Sequence, residues 1–268
     1  MRWITARRRR PVAGYAVVLL GLLLIGTGYA VITGAGDASA SSPTAASTQV
    51  AEGRAIFEET CSSCHGLEAQ GTAVAPSLIG VGSAAVDFQT STGRMPAKEI
   101  GSEEARKPPE LDPQQILDVS AYIQSLAGGP AIPTPAQVST SGADLALGQE
   151  LFIADCAQCH NFVGAGGALT DGKYAPALTQ STPTQIYEAM LTGPEAMPVF
   201  NNTTITPSEK RDIIAFVTTT RDEPNPGGFS LGRIGPVTEG LVAFLGLLFF
   251  MVLAAIWITA KHRKTADE

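Results

Sequence analysis

Cys61-Ser62-Ser63-Cys64-His65 returns in the second half of the chain as Cys156-Ala157-Gln158-Cys159-His160, and the two copies use all four cysteines of the 268 residues and two of the three histidines. C-x-x-C-H is the attachment signature of c-type haem, in which each thiol adds across a vinyl group and the adjacent imidazole becomes an axial iron ligand. The short spacing lets both sulfurs reach the vinyl groups while the histidine rises to the metal from the same turn. Other chemistries account for only part of the pattern. A redox dithiol does not need the histidine and belongs near a βαβ pattern, which the sequence lacks. A zinc site built from both CxxC pairs leaves the histidines unexplained. A disulfide across a two-residue gap is small and strained. The sequence therefore predicts two covalently bound haem c groups, one on Cys61 and Cys64 with His65 as ligand, the other on Cys156 and Cys159 with His160.

The ends of the chain place these motifs relative to a membrane. Val12 to Ile32 is apolar and uncharged, preceded by Arg7-Arg8-Arg9-Arg10, and Gly240 to Ala260 is a second such run, followed by Lys261-His262-Arg263-Lys264. A helix of 21 residues covers about 30 Å, enough for the hydrocarbon core. Both basic clusters lie at the outer ends, so the positive-inside rule puts the termini in the cytoplasm and everything between the runs outside it. The first run also reads as a signal peptide cleaved near Ala38-Ser39-Ala40. The expectation is a cell-membrane protein, with two helices if that run is retained and one if it is removed, in contact with membrane lipid.

Apolar content of 44 % excludes general disorder. Residues 37–232 hold 9 Lys and Arg against 22 Asp and Glu, a net −13. No nucleic-acid partner is expected for so acidic a region; the charge serves solubility, or forms a face that steers a basic redox partner.

Between the hydrophobic runs the chain is a duplicated module. Gly53 and Phe57 stand before Cys61 as Gly148 and Phe152 stand before Cys156. Ala75-Pro76-Ser77-Leu78 is matched by Ala175-Pro176-Ala177-Leu178, and Arg94-Met95-Pro96 by Ala196-Met197-Pro198. Each module closes with a predicted helix: Asp112, Pro113 and Gln115 give an N-cap, a first-turn proline and a capping-box partner, and Thr206, Pro207 and Glu209 repeat them. Apolar stripes follow at Ile116, Val119, Tyr122, Ile123 and Leu126, and at Ile213, Ile214, Phe216 and Val217. The expected layout is 1–36 basic segment and hydrophobic helix, 37–49 linker, 50–127 first domain, 128–142 Pro/Gly linker, 143–222 second domain, 223–234 linker, 235–260 transmembrane helix and 261–268 cytoplasmic tail.

Across residues 50–222 the pattern resembles class I cytochrome c domains. The resemblance implies an all-α fold of two tandem domains, each packing its first and last helices across one another beside a buried haem. Gly53 and Phe57 would then meet Tyr122, and Gly148 and Phe152 would meet Phe216. It also makes Pro76 and Pro176 similar to the family proline whose carbonyl accepts the proximal histidine's Nδ1–H, although a proline that only shapes its loop remains open.

The sixth ligand decides the chemistry, because a closed His/Met site suits electron transfer whereas an open one permits ligand binding or peroxide chemistry. Met95 is the only methionine of the first module, in a Gly-Arg-Met-Pro setting like the family's ligand. In the second module Met197 has the matching place, whereas Met190 falls in a predicted helix and reads as core. Met251 lies in the C-terminal run and His262 in the basic tail, and neither is expected at a haem. The loops differ: Pro76 follows His65 by 11 residues, Pro176 follows His160 by 16, and the first module carries a charged insert from Lys98 to Glu110. Partner contacts are expected there.

The whole arrangement resembles the di-haem cytochrome c subunits (cytochrome cc) of actinobacterial menaquinol–cytochrome c reductases, the cytochrome bcc complexes. That resemblance implies an electron-transfer subunit of a redox-driven translocase with no independent catalytic site. Its implied partners are a cytochrome b subunit, a Rieske iron–sulfur subunit and an aa3-type oxidase. A di-haem donor to another oxidase, such as a cbb3 type, or to a dehydrogenase is the alternative from a related class. A di-haem peroxidase is the enzymatic one.

Overall fold

The computed structural model describes residues 11–32, 43–99, 101, 103–224 and 231–266. Arg7–Arg10, the Ala38-Ser39-Ala40 site, residues 37–42 of the expected first linker and residues 225–230 of the third lie outside the described residues, as do the side chains of Lys261–Lys264. The N-terminal unit, residues 1–47, contains helix α1 (Pro11–Ile32). Its described side chains form an apolar stretch from Gly14 to Thr27.

The first module opens with α2 (Pro43–Thr60), continues through the turn α3 (Ser62–His65) and α4 (Gly82–Ser91), and closes with α5 (Pro113–Ala127). The last seven residues of the expected 37–49 linker are thus helical. Ala-rich composition is compatible with either state, and Ala favours helix wherever the chain can continue one. After a linker holding the short helix α6 (Pro135–Val138), the second module repeats the order with α7 (Leu145–Asp155), α8 (Ala157–His160), α9 (Pro183–Thr192) and α10 (Pro207–Asp222). Helix α11 (Pro236–Ala266) ends the chain.

Both closing helices begin as their sequences predict. The Asp112 carboxylate accepts from the Gln114 and Gln115 N–H groups while the Gln115 side chain returns to the Asp112 N–H. Thr206 and Glu209 make the same reciprocal pair. These caps satisfy donors that a bare helix start would leave unpaired.

The two helix crossings are near copies. A Cβ on Gly53 would stand 1.9 Å from the Asp118 carbonyl oxygen, and one on Gly148 would stand 2.0 Å from that of Asp212. Only hydrogen fits where the backbones approach so closely. One turn on, Phe57 meets Tyr122 and Phe152 meets Phe216, each with ring centroids 5.4 Å apart, at interplanar angles of 49° and 50°. Phe57, Val119, Tyr122 and Ile123 build the first core; Phe152, Ile186, Tyr187, Met190 and Ile213 anchor the second. Leu126, the last residue of the expected stripe, is exposed.

A five-residue difference in loop length is absorbed by a two-stranded hairpin, β1 (Gly167–Ala168) with β2 (Tyr174–Ala175), antiparallel with Gly167 opposite Ala175. It is the one addition to the all-α expectation among the described residues. The corresponding loops of the two modules close alike: the Leu78 N–H donates to Ala69 O at 2.8 Å, and the Leu178 N–H donates to Gly164 O at 2.8 Å.

The modules pack against each other through α4 and α9. Two residues of the charged insert bond across to the second module. Glu103 accepts the Tyr174 N–H at 3.0 Å, and Arg106 donates to the Gln180 carbonyl and to Gln185 Oε1 at 3.1 and 3.2 Å. Gln185 in turn donates to Ser91 Oγ of the first module at 3.1 Å.

Between α4 and α9 lies a carboxyl pair, Asp87 and Glu188. Glu188 is fully buried, and no donor group reaches its carboxyl oxygens. The two side chains can bond to each other only when a proton sits between them. Burial first, then the charge and hydrogen bond of Asp87, push the Glu188 carboxyl up to about 10; burial also raises Asp87. A raised folded pKa means that the folded chain holds the proton more tightly than the unfolded one. The stabilisation is therefore complete below the unfolded value, near 4.5, and is lost as pH rises towards about 10. The slope is at most about 1.4 kcal/mol per pH unit for one proton. Glu188→Gln should therefore flatten the decline of Tm between pH 5 and 9; parallel melting curves for variant and parent would contradict this account.

Helix α11 leaves the second module by a short seam: Arg233 donates to the Thr220 carbonyl at 2.6 Å, and Gly235 abuts Phe162, leaving no room for a Cβ. Pro236–Ala260 is long and apolar enough to cross a membrane, and its apolar side chains are exposed, Met251 among them.

Candidate functional site

Each CxxCH occupies the single turn after the first helix of its module. The His65 N–H donates to Cys61 O at 3.0 Å and the His160 N–H to Cys156 O at 2.9 Å, so cysteine, cysteine and histidine are fixed on one short coil. The following residue must reverse the chain in the left-handed region. Gly66 does so at φ 83° and Asn161 at φ 59°, the second held by a hydrogen bond from its Nδ2 to the Gly166 carbonyl.

Both imidazoles are aimed by a proline carbonyl. His65 Nδ1 lies 2.8 Å from Pro76 O, and His160 Nδ1 lies 2.9 Å from Pro176 O. A carbonyl oxygen can only accept, so Nδ1 carries the hydrogen and the Nε2 lone pair is left for a metal. Burial lowers the His160 pKa and so favours the neutral, ligating ring; the Pro176 bond opposes this in part.

None of the four cysteines is in a disulfide. Burial, followed by the influence of Cys64, pushes the Cys61 thiol up to about 11; burial, then Asp155 and Cys159, push Cys156 up to about 12. Among the described residues no cluster of three or more His, Cys, Asp or Glu is arranged to hold a bare metal ion.

In the second module these groups open on a single cleft enclosing about 1250 Å³, counting space open to solvent. Cys156, Cys159, His160, Pro176 and Met197 line it, with Phe152, Ile186 and Met190 among its apolar walls. The lining is mostly apolar, which suits a large flat apolar group. Two thiols and a neutral, pre-aimed imidazole on one edge, with a thioether on the lining, are the donor set that a covalently bound haem requires. The residues present fit that group. Met190 is 2 % exposed and held in α9, as a core residue should be, although it also touches the cleft. In the first module Met95 follows α4, its N–H donating to Gln89 O at 3.0 Å and its side chain half-buried.

Two features of the second site escaped the sequence reading. Lys210 is fully buried and donates to Asn201 O and Asn202 Oδ1 at 3.2 Å and to Ile205 O, clamping the loop after Met197 to α10. Burial lowers its pKa, partly offset by Glu209. No local pattern distinguishes this lysine from a solvated one. The other is Arg94, a first-module residue lining the second-module cleft. Its signal was the mismatch with Ala196 at the equivalent place in the repeat.

Comparison with known proteins agrees with this geometry. The family model "Cytochrome c" matches residues 50–127, and "Cytochrome C oxidase, cbb3-type, subunit III" matches residues 143–217. The chain is 40 % identical to the cytochrome bc1 complex cytochrome c subunit of Corynebacterium diphtheriae, over 96 % of this chain and 98 % of the relative. It is 41 % identical to that of Mycobacterium tuberculosis, over 95 % and 93 %, and 46 % identical to that of Mycobacterium leprae, over 78 % and 74 %. With two cytochrome c modules, an apolar C-terminal helix and likeness along nearly its whole length, the chain belongs to the family of cytochrome bc1 complex cytochrome c subunits, which act in electron transfer.

Proposed function

We propose that this chain carries two haem c groups and conducts electrons from the Rieske iron–sulfur centre of a quinol–cytochrome c reductase to an aa3-type oxidase. Cys61, Cys64, Cys156 and Cys159 form the thioether bonds; His65 with Met95, and His160 with Met197, are the axial iron ligands; Pro76 and Pro176 orient the histidines. The observation that carries this reading is the repeated pairing of CxxCH with a histidine Nδ1–H bound to a proline carbonyl.

A bound haem supplies a one-electron iron couple, and thioether ligation raises its potential. The protein's part is to keep each imidazole neutral and fixed, to exclude water with the apolar walls, and to leave no iron position open. That last point argues against the peroxidase alternative. In this reading helix α11 is the membrane tether of both modules, the cytochrome b and Rieske subunits are their neighbours, and the haem modules lie outside the cytoplasm with the C-terminus within it; the apolar length of Pro236–Ala260 supports the tether. A soluble carrier is then unnecessary. His65→Ala or Met95→Ala is expected to slow quinol-dependent oxygen consumption at least tenfold, a loss of about 1.4 kcal/mol or more in the rate-limiting step. Unchanged respiration would argue against the route.

The match of residues 143–217 to a cbb3-type subunit favours one second reading, in which the chain feeds a different oxidase. Gentle solubilisation and co-purification separates the two: recovery with cytochrome b, Rieske and aa3 subunits supports the first, and recovery with a cbb3-type core supports the second.

A further inference from the structure

The cleft of the second module is not closed by that module alone. Phe88, Arg94, Glu103 and Arg106 belong to the first module, yet they line the cleft together with His160 and Met197. Arg94 is the unusual member. It is only 6 % exposed, its Nε and Nη1 have no hydrogen-bond partner, and its guanidinium lies 5.1 Å from the centroid of the Phe88 ring. None of the ion pairs among the described residues includes it.

A guanidinium stays charged in a protein, and burying one without an anion costs several kcal/mol. Burial and the neighbouring Arg106 both work against the Arg94 charge, only partly offset by Tyr174, Glu195 and Glu103. The nearby carboxylates are engaged elsewhere: Glu103 accepts the Tyr174 N–H, and Glu195 accepts the Glu104 N–H at 3.3 Å. Two cations of the first module therefore line the cleft, and Glu103 and Glu195, which line it too, make no ion pair with Arg94. A haem has one charged end, its two propionate carboxylates, and planar guanidinium matches carboxylate in a bidentate fork.

We propose that Arg94, assisted by Arg106, pairs with the propionates of the haem in the second cleft, so that the first module supplies the anion-binding end of the second module's cofactor site. This rests on the two-haem reading above. Arg94 is peptide-bonded to Met95, so one dipeptide would serve both cofactors, and the module interface would be set by occupancy of the second cleft. Ala196, at the equivalent place in the repeat, offers no such group in return.

The test is a spectroelectrochemical titration of the full-length chain in detergent, with Met197→His used to mark which midpoint belongs to the second haem. Removing a cation beside a haem makes reduction harder. Arg94→Gln should lower the second midpoint alone, with about a tenfold change in the reduction equilibrium, ~59 mV for one electron. Arg94→Lys should restore most of it, and Arg106→Gln should shift the same midpoint in the same direction. Two haems with midpoints unmoved by either glutamine variant, or a shift confined to the first haem, would overturn the proposal. A preparation lacking a second haem before any substitution would instead refute the functional reading beneath it.

Discussion

Replacing Cys156 and Cys159 together by serine is expected to halve the haem bound per polypeptide and to stop electron flow through the chain. Thioether bonds are what hold the cofactor when its iron ligands exchange, and serine hydroxyls do not add to the vinyl groups. The first module keeps its own Cys61, Cys64 and His65, so half of the absorbance should survive. Haem content per chain, read from the alkaline pyridine spectrum, checks the first part, and quinol-dependent oxygen consumption checks the second. Full respiration in a chain with one haem would show that the second module is not on the electron path.

Gly148→Leu should be the most damaging single change away from the cysteines. Its Cβ would lie 2.0 Å from the Asp212 carbonyl oxygen and 2.5 Å from the carbonyl carbon, both main-chain atoms of α10 that no rotamer change can move aside. The helices must separate, which opens the Phe152–Phe216 contact and the floor of the second cleft. Overpacking of this kind typically costs about 1–3 kcal/mol, and loss of the aromatic pair adds about 1 kcal/mol. The second module should melt first, with release of its haem environment visible in the Soret band. Gly53→Leu should do the same to the first module through the Asp118 carbonyl. A Tm within a degree of the parent for either variant would mean that the crossings are looser than described.

What was legible in the sequence shares one property: it was local or it was repeated. The CxxCH turns, the Asp112 and Thr206 capping boxes and the Pro76 and Pro176 loops are short-range patterns, and each occurs twice. The helix crossings were legible only through the family resemblance, since nothing near Gly53 announces Asp118. Of the contacts between modules, only Arg94 left a trace, in its mismatch with Ala196. Residues 98–110 read only as a charged insert where partner contacts are expected, and nothing in them announces that Glu103 and Arg106 bond to Tyr174, Gln180 and Gln185 of the second module. Glu188 and Lys210 lie in α9 and α10, and their burial depends on what packs over them. The early start of α2 at Pro43 shows the converse, a stretch of linker-like composition drawn into a helix that continues from it.

The intact mass of the chain purified from membranes and denatured before measurement tests the central claim most directly. Two covalent haems predict a polypeptide heavier by two iron porphyrins, with a c-type reduced-minus-oxidised band that survives acid–acetone extraction. A mass equal to the bare polypeptide, or haem removed by that extraction, would contradict it.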